Sequence, residues 1–382
     1  MKTKILFFSF LMLFAPFFSL AQENGEEELF NSREEIFEAK VIEIVAETVK
    51  TNEEGQTYKQ QDLKLKGLKG DWKNKEVIFY GISDIEVLSR QEYEVGDKVM
   101  VAKTEDMAGA EKYYIYDYVR RGSLYFLAFL FALVVVIIGR LKGLRALISL
   151  FISFVVIMKF IIPQIMNGAN PLFISITGAL IILVFIIYLT EGLKRKSHLA
   201  VISIVISLIA AAFISIIFAN LTKLTGLAQE ETIFLISSGH SFINLKGLLL
   251  AAIIIGAIGV LDDVVISQIA AAEQIIKANP ALSKKEIFKR TYQVGQSHLG
   301  SMVNTLFLAY AGASLPLLLL FTVNEPPFLS FGDVLNHEVI ATEIVRTLAG
   351  SIGLALAIPV ATYLGAYFLK PDIIKAPAET RK

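Results

Sequence analysis

Hydrophobic and polar positions fall into two regimes along the chain. Up to about residue 121 the apolar positions alternate with polar ones, as in FEAKVIEIVAE, YKQQDLKLKGL, KEVIFYGI and DKVMVAKT. A period of two predicts half-buried strands, and the turn residues Asn52-Glu53-Glu54-Gly55, Lys69-Gly70-Asp71 and Gly96-Asp97 separate them. Beyond Gly122 the alternation gives way to long apolar runs near 122–139, 144–162, 172–190, 199–219, 247–272, 299–322 and 344–369. Each is close to the length of helix that crosses a hydrocarbon core, so seven spans are expected. The predicted fold is an α-helical polytopic membrane protein with a small β-barrel-like domain of OB type at 36–121.

The ends of the chain add detail. Residues 1–21 open with Lys2 and Lys4, run apolar from Ile5 to Leu20 and close on Ser19-Leu20-Ala21, the pattern of a signal peptide cut before Gln22. A Glu-rich segment, 22–35, precedes the strands, and 370–382 forms a basic tail. With the β-domain exported, the inner loops and tail carry fifteen Lys and Arg, among them Arg140, Lys196, Lys277 and Arg290, against Lys223 and Lys246 outside. That is the positive-inside asymmetry, and it expects the β-domain outside an inner membrane and the C-terminus in the cytoplasm. Inside, Ser283-Lys284-Lys285-Glu286 is a capping box that predicts a short amphipathic helix along the membrane surface.

Composition sharpens the division. The chain is 54% hydrophobic with no formal net charge, but 22–119 holds 23 acidic against 13 basic residues. No cysteine is present, which excludes disulfides, thiolate metal sites and cysteine nucleophiles.

Within 247–276 lie two adjacent carboxylates, Asp262 and Asp263. Ionisable groups at that depth are costly and usually face a bundle interior or a wet cavity. At about 100° per residue the two point to different sides of one helix. Asp263 continues a ridge of small or polar residues, Gly256, Gly259, Ser267 and Ala270, of the kind that lets a neighbouring helix approach closely. Asp262 lies nearly above Glu273. Ser301, Asn304 and Thr305 in the sixth span are at matching depth and are expected to hydrogen-bond the aspartates, with Glu273 and His298 facing each other at the cytoplasmic mouth. Gly312 and Pro316 should kink that span. Two readings stay open for the pair: an ion or solute site, or a hydrogen-bonded clamp between helices.

The runs GAIGVLDDVVISQIAAAEQI and VGQSHLGSMVNTLFLAYAGASLPLLLLF resemble the YibE/F-like family of bacterial multi-pass membrane proteins. The resemblance rests on Gly256, Gly259, Asp263, Asn304, Thr305, Leu306, Ala309, Tyr310, Gly312, Leu315 and Pro316, with Gly96-Asp97-Lys98-Val99 and Asp117-Tyr118-Val119-Arg120 in the exported part. It implies the membrane fold and no established biochemical activity. Asp263 is carried over more firmly than Asp262, whose place is apolar in some members.

Transport of an ion or small solute through the Asp262/Asp263 site is the leading expectation. The alternative is a non-enzymatic envelope assembly or sensory protein whose β-domain binds a partner. An enzyme is not expected. A membrane aspartyl protease needs aspartates on separate helices, Ser267 occupies the last position of a DDxxD motif, and Ser297-His298 lacks an orienting acid or nucleophile elbow. No cofactor is implied and the metal question is open. The expected partners are the lipid bilayer, an ion or solute and an envelope protein, with no nucleic acid.

Overall fold

The computed structural model describes residues 35–51, 57–82, 92–105, 109–323 and 325–369. The expected signal peptide, nearly all of the acidic segment and the tail lie outside them. The chain divides into two compact units, Met1–Leu130 and Phe131–Lys382.

In the first unit, β1 (Glu35–Thr51), β2 (Thr57–Gly67), β3 (Glu76–Tyr80), β4 (Lys98–Glu105) and β5 (Glu111–Tyr118) form an antiparallel sheet of order β3-β2-β1-β4-β5. The alternation read from the sequence places Phe37, Ala39 and Val41, Leu63 and Leu65, Val77 and Phe79, and Val99 and Val101 in one core. The edge strands β3 and β5 approach one another, but among the described residues no hydrogen bonds close the sheet into a barrel. Tyr93 is buried beside Tyr118, whose hydroxyl donates to the Glu92 carbonyl, whereas Tyr113 packs edge-on against a stacked Phe37–Trp72 pair.

The second unit is helical, with α1 (Arg121–Val156) entering it from the first. The remaining helices are α2 (Ile162–Met166), α3 (Pro171–Glu191), α4 (Arg195–Leu221), α5 (Glu230–Ser237), α6 (Leu245–Ala278), α7 (Lys284–Ala313), α8 (Leu315–Val323), α9 (Phe331–Asn336) and α10 (Glu338–Phe368). Side chains set the starts: Asn170 accepts from the Phe173 amide, Asn244 from Gly247 and Ser283 from Glu286. Gly192, at φ +80°, ends α3.

Among the described residues five helical stretches are long and apolar enough to cross a membrane: Arg121–Met166, Pro171–Glu191, Arg195–Leu221, Leu245–Ala278 and Glu338–Phe368. Seven were expected, and two breaks explain the difference. Arg140 adopts φ 50°, ψ −129° inside α1, and a Cβ on Gly143 would lie 2.2 Å from the Val135 carbonyl oxygen. Residues eight apart in a straight helix are separated by about 12 Å, so the chain folds back here and one stretch holds the first two expected spans. The expected span 299–322 is divided at Ser314 between α7 and α8, because Pro316 has no amide to bond Gly312. The amphipathic segment after Ser283 is no separate connector, since α7 runs unbroken from Lys284 to Ala313. Its capping box is half-formed, as Glu286 turns to Arg290 at 2.9 Å.

α6 is the most buried of the five stretches and packs against α3, α4, α7 and α10. Small residues bring α10 close to its neighbours. A Cβ on Gly353 would meet that of Ala211 on α4 at 2.6 Å, and one on Gly365 would meet Ala272 of α6 at 2.9 Å. On α4, Ser203, Ser207 and Ser215 are buried and each donates to the carbonyl four residues earlier, which leaves no hydroxyl unpaired in that contact.

Candidate functional site

The two aspartates of α6 have different surroundings. Asp262 is half-buried, with Oδ1 enclosed and without a hydrogen-bond partner, and the Glu191 carboxylate at the end of α3 lies within electrostatic reach. Asp263 is exposed, as are Gly259 and Ser267 along the same ridge. Nothing stands over Gly259 within 4 Å, so the ridge expected to seat a neighbouring helix is open, apart from Tyr310 reaching Gly256 at 3.3 Å.

The partners expected on the sixth span are not brought to the aspartates. Ser301, Asn304 and Thr305 are all exposed, and Thr305 donates to the Ser301 carbonyl of its own helix. α7 meets the bundle through Ile287, Thr291 and Gly295, at steps of four, and through Leu306 about three turns further on the same side, a row that leaves Asn304 and Thr305 to one side. Glu273 and His298 do not pair either. Glu273 binds Lys277 at 2.7 Å and reaches Lys196 at 3.6 Å, while His298 is exposed. Lys196 also holds Glu191 at 2.5 Å, so α3, α4 and α6 are tied by Glu191, Lys196 and Glu273. Gly312 and Pro316 flank the break at Ser314 and are exposed.

Asp262 and Glu273 do share a side of α6. At about 100° per residue Leu248, Ala251, Ile255, Asp262 and Glu273 fall within about 60° of one another. Near one end of this stripe a cavity of about 300 Å³ is lined by Leu248, Ala251 and Ile255. At its other end stands the Glu191–Lys196–Glu273 cluster. Asp262 lies between them.

Two features escape a reading of charge alone. Gln268 is 2% exposed and its Nε2 donates to the Thr291 carbonyl and to Thr362 Oγ1, both at 2.7 Å, which joins α6 to α7 and α10. Its signal in the sequence is an amide two-thirds of the way along an apolar helix. Glu191 and Lys196 register in the sequence only as loop charges, yet Lys196 joins Glu191 to Glu273. Among the described residues no cluster of His, Asp and Glu has the arrangement of a metal site.

Large apolar side chains on the outside of these helices, including Phe126, Ile138, Leu141 and Phe213, are more than half exposed. A surface of that kind is stable in hydrocarbon and prone to association in water, in agreement with a membrane protein. No curated protein and no solved structure matches the chain. The family model described as YibE/F-like protein matches residues 127–371, which takes in every helix but the first six residues of α1. This multi-pass membrane chain belongs to the YibE/F-like family.

Proposed function

We propose that the chain is a non-enzymatic permease for an ion or small solute, with Asp262 as the group that binds or exchanges a proton during passage. The observation that carries this reading is the stripe on α6, where an enclosed and unpartnered carboxyl oxygen lies between a cavity and a cluster of charged groups. Intramembrane carboxylates of this kind mark ion and proton paths. Asp263 is outside the path, on the open ridge. The proposed topology has seven spans, two in 121–166 and one made of α7 and α8, in a bacterial inner membrane with a cytoplasmic C-terminus. An OB-type domain is exported behind a cleaved signal peptide, and its strand order suits such a barrel opened between β3 and β5.

The test is proton flux into vesicles reconstituted with the full chain, followed by an internal pH dye as cations and uncharged solutes are added one at a time. Asp262→Asn abolishes coupled flux and Asp263→Asn preserves it. Equal flux in the wild type and the Asp262 variant would remove the reading.

The exported sheet favours a second reading, an envelope assembly or sensory protein. Ile36, Ile78 and Tyr80 are exposed on its strands, a surface suited to a protein partner. Rescue of a deletion phenotype by residues 120–382 alone would count against it.

A further inference from the structure

The cavity at the end of the stripe has its own chemistry. Its walls come from the π-helical turn Ile157–Ile161, from α2, α3 and α6, and from α10 at Thr342. Residues 226–232 close it, contributing Gln229 and Thr232. This closing segment is fastened down. The Glu338 carboxylate accepts from the Thr225 amide at 2.6 Å, the Thr225 hydroxyl at 2.8 Å and the Gly226 amide at 3.1 Å. Gly226 is at φ +87° and packs so closely on the Leu245 carbonyl that a Cβ would lie 2.4 Å from its oxygen. Only glycine suits that position.

The lining is mostly Ile, Leu and Ala, and no charged side chain contributes to it among the described residues. Besides Gln229 and Thr232, the apolar wall is interrupted by the hydroxyls of Ser175 on α3 and Thr342 on α10. They are 0% and 2% exposed, and neither oxygen has a hydrogen-bond partner. Buried hydroxyls are normally paired, so two unpaired ones in one cavity wall need an explanation. Water alone fills the site poorly, because most of the wall is apolar and apolar cavities stay dry. A bare ion suits it worse, since no charge or carbonyl cage replaces its hydration. A molecule with an apolar body and an uncharged hydrogen-bonding group offers these hydroxyls a partner and fills the remainder.

We infer that this cavity is a binding site for a small uncharged amphipathic molecule, of the class of a medium-chain alcohol or amide, held between Ser175 and Thr342 beneath residues 226–232. The volume of about 300 Å³ matches roughly ten waters, hence a ligand of about ten non-hydrogen atoms. Its place as the transported solute rests on the permease reading, because Ile255 in the wall is seven residues, or about 10 Å, from Asp262 on the same side of α6. Binding itself does not depend on that reading.

The probe is a diazirine-bearing eight-carbon alcohol, photolysed with the full chain in lipid nanodiscs and mapped by mass spectrometry. The matching diazirine-bearing alkane serves as the comparison. Adducts from the alcohol should saturate on peptides holding Ile161, Leu248 and Ile255, above the non-saturable labelling of lipid-facing Ile209 and Phe213. Ala252→Phe, which fills the cavity from an exposed position, should remove the saturable labelling. Ser175→Ala with Thr342→Val should weaken half-saturation about tenfold, the effect of losing two neutral hydrogen bonds. Equal cavity labelling by the alkane, or labelling indifferent to Ala252→Phe, would overturn the assignment. Saturable labelling without vesicle flux would leave the site standing and remove the permease, whereas flux without labelling would do the reverse.

Discussion

Replacing Gln268 by Met keeps the length and most of the volume of the side chain while removing both of its donated hydrogen bonds. The bonds, each 2.7 Å, join α6 to the Thr291 carbonyl of α7 and to Thr362 Oγ1 of α10. The groups left behind are not stranded. A carbonyl has a second lone pair for its own helix, and a threonine hydroxyl can turn to the carbonyl four residues back. The effect should therefore be that of two ordinary hydrogen bonds, about 1–3 kcal/mol in all. Interhelical bonds within bilayers average about 0.6 kcal/mol, which favours the lower half of that range. Unfolding by a denaturing detergent in mixed micelles, followed by helical circular dichroism, measures the loss. A double-mutant cycle with Thr362→Val isolates the Gln268–Thr362 bond, and its coupling energy should be about 0.6–1.7 kcal/mol. Losses that add to within about 0.3 kcal/mol would mean that the two side chains do not interact, and the clamp would be refuted.

Gly295 packs against the same clamp, with a Cβ due 2.5 Å from Ile358 Cγ2 and 2.7 Å from Gln268 Nε2, so Gly295→Ala should cost about 1–3 kcal/mol in the same unfolding assay. Gly143→Val places its side chain against the Val135 carbonyl and should open the turn at Arg140, seen as new protease cleavage between residues 135 and 146. Glu338→Ala releases the amides of Thr225 and Gly226 and should speed proteolysis within 222–232 while global unfolding is nearly unchanged. In the N-terminal sheet, burial alone would raise the carboxyl of Glu38, but its hydrogen bond to Arg121 and the charges of Arg121 and Lys69 outweigh that and hold it below its ordinary 4.5. A group lowered on folding stabilises above its unfolded value, and that contribution is lost as pH falls through its folded value. Melting of the full chain, read from the single tryptophan, Trp72, should therefore drop as the pH is lowered from about 5, and Glu38→Gln should flatten the drop.

The strands were legible because period-two alternation is itself the burial pattern: Phe37, Ala39 and Val41 are the positions it selects, and they are buried. The apolar runs were legible for the same reason, and the breaks at Arg140 and Ser314 account for where their number differs. Angular arguments on α6 also hold, since Asp262 and Glu273 share one side and Asp263 another. A sequence does not give the neighbour that each side meets. Depth alone paired Asn304 and Thr305 with the aspartates, but α7 turns the row Ile287, Thr291, Gly295 and Leu306 inward and those two outward. A short connection between α6 and α7 favours a Glu273–His298 pair, yet Glu273 is reached by Lys277 on its own helix and by Lys196, more than seventy residues away in the chain. Gln268 escaped notice because an uncharged amide disturbs hydropathy little, although three helices converge on it.

The close approach of α4, α6 and α10 has a kinematic consequence. With Gly353 set against Ala211 and Gly365 against Ala272, there is no layer of flexible side chains between these backbones to absorb a shear. One helix could slide along another only by first separating from it, so the three behave as a stator. The stretch 131–166 is held differently, with few buried side chains along α1 and a π-turn at Ile157–Ile161 where its winding changes. It is the more loosely packed part up to the turn, where Ile161 seats against Gly178 of α3. Since Ile161 and Ile165 belong to it and also wall the cavity, rotation of that one stretch would change the size of the cavity while α6 and Asp262 stayed still.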